Sequence, residues 1–170
     1  MRRALLILVS ALVLALGAVA AGCGGGGSGG GGGKLLTKNE FVAKADGICD
    51  KANKKVPQPP SELRNGFDPA TKKGTDAQYK KFGDYVGKIV KIFRGEVDEL
   101  QGIKPPANLQ DTYDKALATL GEAVNELGEA SDAAKSGDRD EVKDKLAESD
   151  KHGNEANKLA KQLGLTVCGS

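Results

Sequence analysis

"TDAQYKKFGDYVGKIVKIFRGEVDELQG", residues 75–102, decides the fold of this 170-residue chain. Tyr79, Phe82, Val86, Ile89, Phe93, Val97 and Leu100 recur at alternating intervals of three and four, with Lys, Asp and Glu between them. That period puts the apolar side chains on one stripe of an α-helix and the charges on the rest. Thr75 and Gln78 have the spacing of a capping box, so the helix starts there. It runs to about Gly102, roughly 40 Å at 1.5 Å per residue. Gly83, Gly87 and Gly95 lie inside it. "GDYVG" has the small-xxx-small pattern, which has force in lipid. In a charged helix it signals close approach of a neighbour or simple local weakening.

A long stripe needs partner stripes, and the flanking sequence supplies three. Upstream, Thr37 and Glu40 form a second capping box, with Leu36 and Phe41 at hydrophobic-staple positions. Phe41, Ala45, Ile48 and Ala52 follow at helical spacing, with Val42, Cys49 and Val56 alongside, and Pro57 stops the helix. Downstream, Pro105-Pro106 breaks the chain and supplies a first-turn proline for the next helix. Leu109, Tyr113, Leu117, Leu120, Val124, Leu127 and Ala134 mark a third helix, which Gly137 ends. Asp138 and Glu141 form another capping box, so "SGDRDE", residues 136–141, is a tight hairpin between antiparallel helices. Val142, Leu146, Ser149, Gly153, Ala156, Ala160 and Leu163 form the fourth stripe, with Gly164 as C-cap. Its seam is thin at Ser149, Gly153 and Ala156. Either a bulky neighbour fills that space or a small cavity lies there, which makes these three the candidate ligand-facing residues. The expected fold is all-α: an antiparallel four-helix bundle over residues 36–170 with one long loop, 57–75, between the first two helices. That loop, "PQPPSELRNGFDPATKKGT", reads as a surface crossover with a short turn at 61–65. Leu63 and Phe67 are expected to pack over a bundle end.

Composition agrees. Aromatics are 4% of the chain, Trp is absent, and Ala, Leu, Lys, Glu and Asp dominate the second half, which suits an aliphatic helical core. The formal net charge of +2 vanishes once Arg2 and Arg3 are set aside, leaving 23 basic against 23 acidic residues. A neutral, interspersed surface argues against nucleic acid as a partner.

Arg2 and Arg3 are set aside because residues 1–22 read as an export signal. "MRR" is a basic n-region and residues 4–20 an apolar run with small residues toward its end. Two cleavage readings compete. Ala18-Val19-Ala20 fits the small-x-small rule and would release a soluble protein. Ala20-Ala21-Gly22-Cys23 resembles a bacterial lipobox, in which cleavage falls before Cys23 and its thiol carries a diacylglyceryl group. Ala20 stands where Leu is commonest. Lipidation also settles the cysteine count. The three cysteines are Cys23, Cys49 and Cys168, and an odd number in an exported chain needs an explanation. With Cys23 lipidated, Cys49 and Cys168 are left to form one disulfide, closing a loop of ~120 residues worth ~4–5 kcal/mol in the chain-entropy model. Residues 23–35 then comprise the lipidated cysteine and a Gly/Ser tether. Ten residues of "GGGGSGGGGG" reach ~17 Å on average and ~35 Å extended.

"LTKNEFVAKADGICDKAN" (36–53), the "KPPANL" break (104–109), the "SGD" hairpin (136–138) and the "LGLTVCG" ending (163–169) resemble a group of small exported actinobacterial lipoproteins. These carry a T-K-x-E-F-x-x-x-A-D-x-I-C segment and a G-L-x-x-C-G ending. The resemblance covers residues 36–170. It implies a Cys49–Cys168 bridge and an exported helical bundle, and it implies no reaction.

No catalytic set converges in the sequence. His152 is the sole histidine, and a zinc site needs further carboxylate or thiolate ligands. Asp46 and Asp50 flank Cys49 at helical spacing, and a solvated face accounts for them better than a calcium or general-acid role. "DRDEVKD" (138–144) lacks the spacing of an EF-hand loop, and no nucleophile elbow, phosphate loop or dinucleotide fingerprint is present. The expectation is a non-enzymatic envelope module without cofactor or metal. It is held through lipid on Cys23 at the outer face of the cytoplasmic membrane and displayed to another envelope component; the alternatives are a small-ligand carrier or sensor using a cavity in the bundle beside Ser149, Gly153 and Ala156, and an enzyme of unknown type.

Overall fold

The computed structural model describes residues 35–169. Residues 1–22, expected to be an export signal, Cys23 and the glycine run lie outside the described residues. Among the described residues there are four α-helices and no strand: α1 (Lys38–Lys55), α2 (Asp76–Gln101), α3 (Gln110–Ser136) and α4 (Arg139–Leu163). They form the expected antiparallel bundle. Short 3-10 turns at Ser61–Leu63, Pro69–Thr71 and Ala107–Leu109 punctuate the connections.

The helix starts follow the capping chemistry. Thr37 accepts from the Glu40 N–H while Glu40 bonds back to the Thr37 N–H, and Thr75 and Gln78 do the same at α2. The third box is made only by half. Asp138 accepts from the Glu141 N–H at 3.0 Å. Its own N–H already donates to the Ala133 carbonyl at 3.0 Å, part of the turn that closes α3. The tight hairpin thus uses the donor that a full box would need. Gly137 makes this turn possible with φ 86°, a left-handed conformation costly for other residues. Pro106 caps the 107–109 turn rather than opening α3 itself.

The core has two poles. At one, Phe41, Ala45, Ile48 and Cys49 of α1 pack with Leu100, Ile103, Tyr113, Ala116, Leu159 and Leu163. At the other, Tyr79, Phe82, Val86 and Val90 of α2 pack with Val124, Ala134 and Val142. α1 is shorter than the other helices and covers only the first pole. The 57–75 segment covers the second, with Leu63 and Phe67 packed on the Tyr79 cluster. Phe67 stands edge-on to Tyr79 at 5.2 Å, and the Arg139 guanidinium lies 4.8 Å from the Tyr79 ring centroid. Gln78 donates to the Glu62 carbonyl at 2.8 Å, Lys81 pairs with Glu62, and Lys72 pairs with Asp140. The long loop is therefore a fixed cap that completes the fourth position of the bundle.

α2 and α3 touch closely at Gly83. A Cβ there would lie 2.6 Å from the Ser131 carbonyl oxygen, and the buried Ser131 hydroxyl donates to the Gly83 carbonyl at 2.8 Å. Of the two readings of the α2 glycines, close approach applies here. Gly95 has open space instead.

Candidate functional site

Cys49 is buried beside the α1 stripe of Phe41, Ala45, Ile48 and Ala52, and the non-helical tail after Leu163 brings Cys168 back to it. The two form a disulfide with Cα atoms 5.3 Å apart and a sequence separation of 119. Cys49 is fully buried and Cys168 half-buried. The tail is held a second way. Asp46, one turn before Cys49, accepts from the Thr166 hydroxyl at 2.8 Å and from the N–H groups of Thr166, Val167 and Cys168 at 2.9 to 3.2 Å. Partial burial works to raise the pKa of this carboxyl, but the hydrogen bonds together outweigh it and hold it below the ordinary carboxylate range. Leu165, 5% exposed, anchors the same tail in the core.

Asp46 and Asp50 thus part company. Asp46 clamps the C-terminus, and Asp50 pairs with Lys54 at 2.6 Å on the outside of α1. His152 is likewise tied across helices, its Nδ1 lying 2.9 Å from Glu126 of α3.

Glu96 is the residue that the apolar pattern passed over. It sits on α2 with only 9% of its surface exposed and has no hydrogen-bond or ion-pair partner among the described residues. Burial, and then the neighbouring Glu99 carboxylate, push its pKa up to about 7. One of its carboxylate oxygens and the sulfurs of Cys49 and Cys168 all lie within 4.8 Å of one another. The signal was present in the spacing: 93, 96 and 100 fit the helical period as well as 93, 97 and 100 do. The structure buries Glu96 and leaves Val97 half-exposed because α1 lies on that side of α2.

Glu96 opens into a groove of about 250 Å³ between α1 and α2, walled by Ile48, Ala52, Ile92 and Gly95 and edged by Lys51, Lys55 and Lys91. A second, shallower groove of about 400 Å³ shares Ile48, Lys51 and Glu99 with it and runs on past Ala43 and Gly47. Both lie away from the thin seam of α4. There the Ser149 hydroxyl donates to the Ala123 carbonyl at 2.9 Å, Ala156 is buried, and nothing lies within 4 Å of a Cβ built on Gly153.

The class these features define is a disulfide-stapled, all-α bundle with a buried carboxyl beside the staple. No family model, curated protein or solved structure matches the chain.

Proposed function

We propose that the protein is a lipid-anchored extracytoplasmic module that acts by presenting its helical bundle to another envelope component. The observation that carries this reading is the order of devices in residues 1–37: basic and apolar export signal, Ala-Ala-Gly-Cys, glycine run, helix N-cap. A lipid on Cys23 would hold the domain at the outer face of the cytoplasmic membrane, and the glycine run would let it reorient there. The capped helices and the pinned 57–75 segment support a rigid binding body. Crosslinking intact cells and purifying the protein from membranes tests the reading: a reproducible envelope protein partner is expected, and recovery of the protein alone at every crosslinker length opposes it.

A second reading, a carrier or sensor of a small ligand, is favoured by the α1–α2 groove. An unpartnered carboxyl beside apolar walls and a lysine edge suits a small amphipathic molecule. Loss of ligand-induced stabilisation in Ile92→Lys would support it; a ligand effect that survives this substitution would oppose it.

A further inference from the structure

We propose that Cys49–Cys168 is a reversibly reducible disulfide served by Glu96, which protonates the Cys49 sulfur when an external dithiol attacks Cys168. Cys168 is half-buried, whereas Cys49 is 1% exposed, so of the two residues Cys168 is the less enclosed. The Glu96 carboxyl stands within 4.8 Å of both sulfurs and has no competing hydrogen-bond partner. The tail that carries Cys168 has anchors besides the bond: four hydrogen bonds to Asp46 and buried Leu165. Reduction therefore changes the chemistry of the site without releasing the tail, and the sulfurs stay close enough to re-form their bond.

A thiolate of the dithiol bonds to the Cys168 sulfur, and the Cys49–Cys168 bond breaks with its electron pair on the Cys49 sulfur. Glu96 gives its proton to that sulfur and becomes a carboxylate. The second thiolate of the dithiol then displaces Cys168, which takes a proton from water. The dithiol is oxidised to a disulfide, and Cys49 and Cys168 end as thiols. Glu96 regains its proton from the groove. A carboxylic acid of pKa about 7 is a stronger acid than a cysteine thiol of ordinary pKa ~8.5, so the transfer runs downhill. The charged groups that share this space are Lys51 and Lys55 of α1, Lys91 and Glu99 of α2, and Asp46 on the tail side. Of these, Glu99 acts on Glu96, and it favours the protonated form.

The test follows reduction of the full-length mature protein by dithiothreitol between pH 5 and 9, with each rate divided by the thiolate concentration of the reagent. The normalised rate constant is expected to fall at least ten-fold as pH rises, with its inflection near 7. In Glu96→Gln it should be flat and at the low level throughout, and in Glu96→Asp an inflection should return. A monothiol should be trapped on Cys168 and not on Cys49. A flat wild-type profile, an inflection that persists in Glu96→Gln, adduct on Cys49, or reduction no faster than global unfolding would each overturn the proposal. The wild-type profile decides alone should Glu96→Gln fail to fold.

Discussion

Two carboxyls a few ångströms from the same disulfide are pushed in opposite directions. Glu96 is buried without a donor, so folding favours its protonated form, with a pKa near 7 against an ordinary 4.5. The folded chain therefore binds more protons than the unfolded one between those values, and stability falls as pH rises through that window, by up to about 3 kcal/mol. Urea denaturation at pH 5 and pH 7.5 should show this loss in the wild type and not in Glu96→Gln. Asp46 runs the other way. Its hydrogen bonds overcome the effect of burial and depress its pKa, so its contribution is present above the ordinary carboxylate range and is lost as pH falls through the folded value. Asp46→Ala should cost about 1 kcal/mol, the low end for charge-assisted bonds because the carboxylate is only partly buried. Hydrogen exchange should locate the loss in residues 165–169. Neither role follows from composition. Asp46 needs the tail to be placed against α1, and Glu96 needs the side of α2 that α1 covers.

At the level of elements, most of the architecture is legible in the sequence because its punctuation is local. The Thr37 and Thr75 boxes, Gly137 and Gly164 mark helix ends through bonds within a few residues, and the structure places the ends there. What is less legible depends on which neighbour packs on which side. In α3 the small residues Ala116, Thr119, Ala123, Ala130 and Ser131 are buried, while Leu117, Leu120 and Leu127 of the apolar stripe are only half so. α3 is flanked by α2 and α4, and small side chains let both helices approach. The α2 glycines give a paired test. Gly83→Ala forces a Cβ to 2.6 Å from a carbonyl oxygen and should destabilise by about 1–3 kcal/mol. Gly95→Ala meets nothing within 4 Å and should stabilise by up to about 1 kcal/mol through helix propensity. Thermal melts of the two variants, shifted in opposite directions, would bear out the close contact. Gly137→Ala, at φ 86°, should lose about 1 kcal/mol.

For the whole molecule, the covalent and topological features act together. The disulfide joins α1 to the end of α4 across 119 residues, so its reduction should lower the melting temperature, with ~4–5 kcal/mol as the ceiling for the lost constraint. The bundle should nevertheless remain folded, since both core poles and the Asp46 clamp persist. An unaltered melting temperature would argue that Cys49 and Cys168 are not bonded in the protein. The proposed anchoring is separate from folding: Cys23 lies outside residues 35–169, which make up the bundle described above. Cys23→Ser should leave the melting curve unchanged while moving the protein from the membrane fraction to the medium. The most direct measurement is the intact mass of the mature protein extracted from cell membranes. The expected result is a chain that begins at Cys23 and carries the added mass of a diacylglyceryl group. A mature chain that begins at Ala21 without lipid, recovered from the medium, would contradict it.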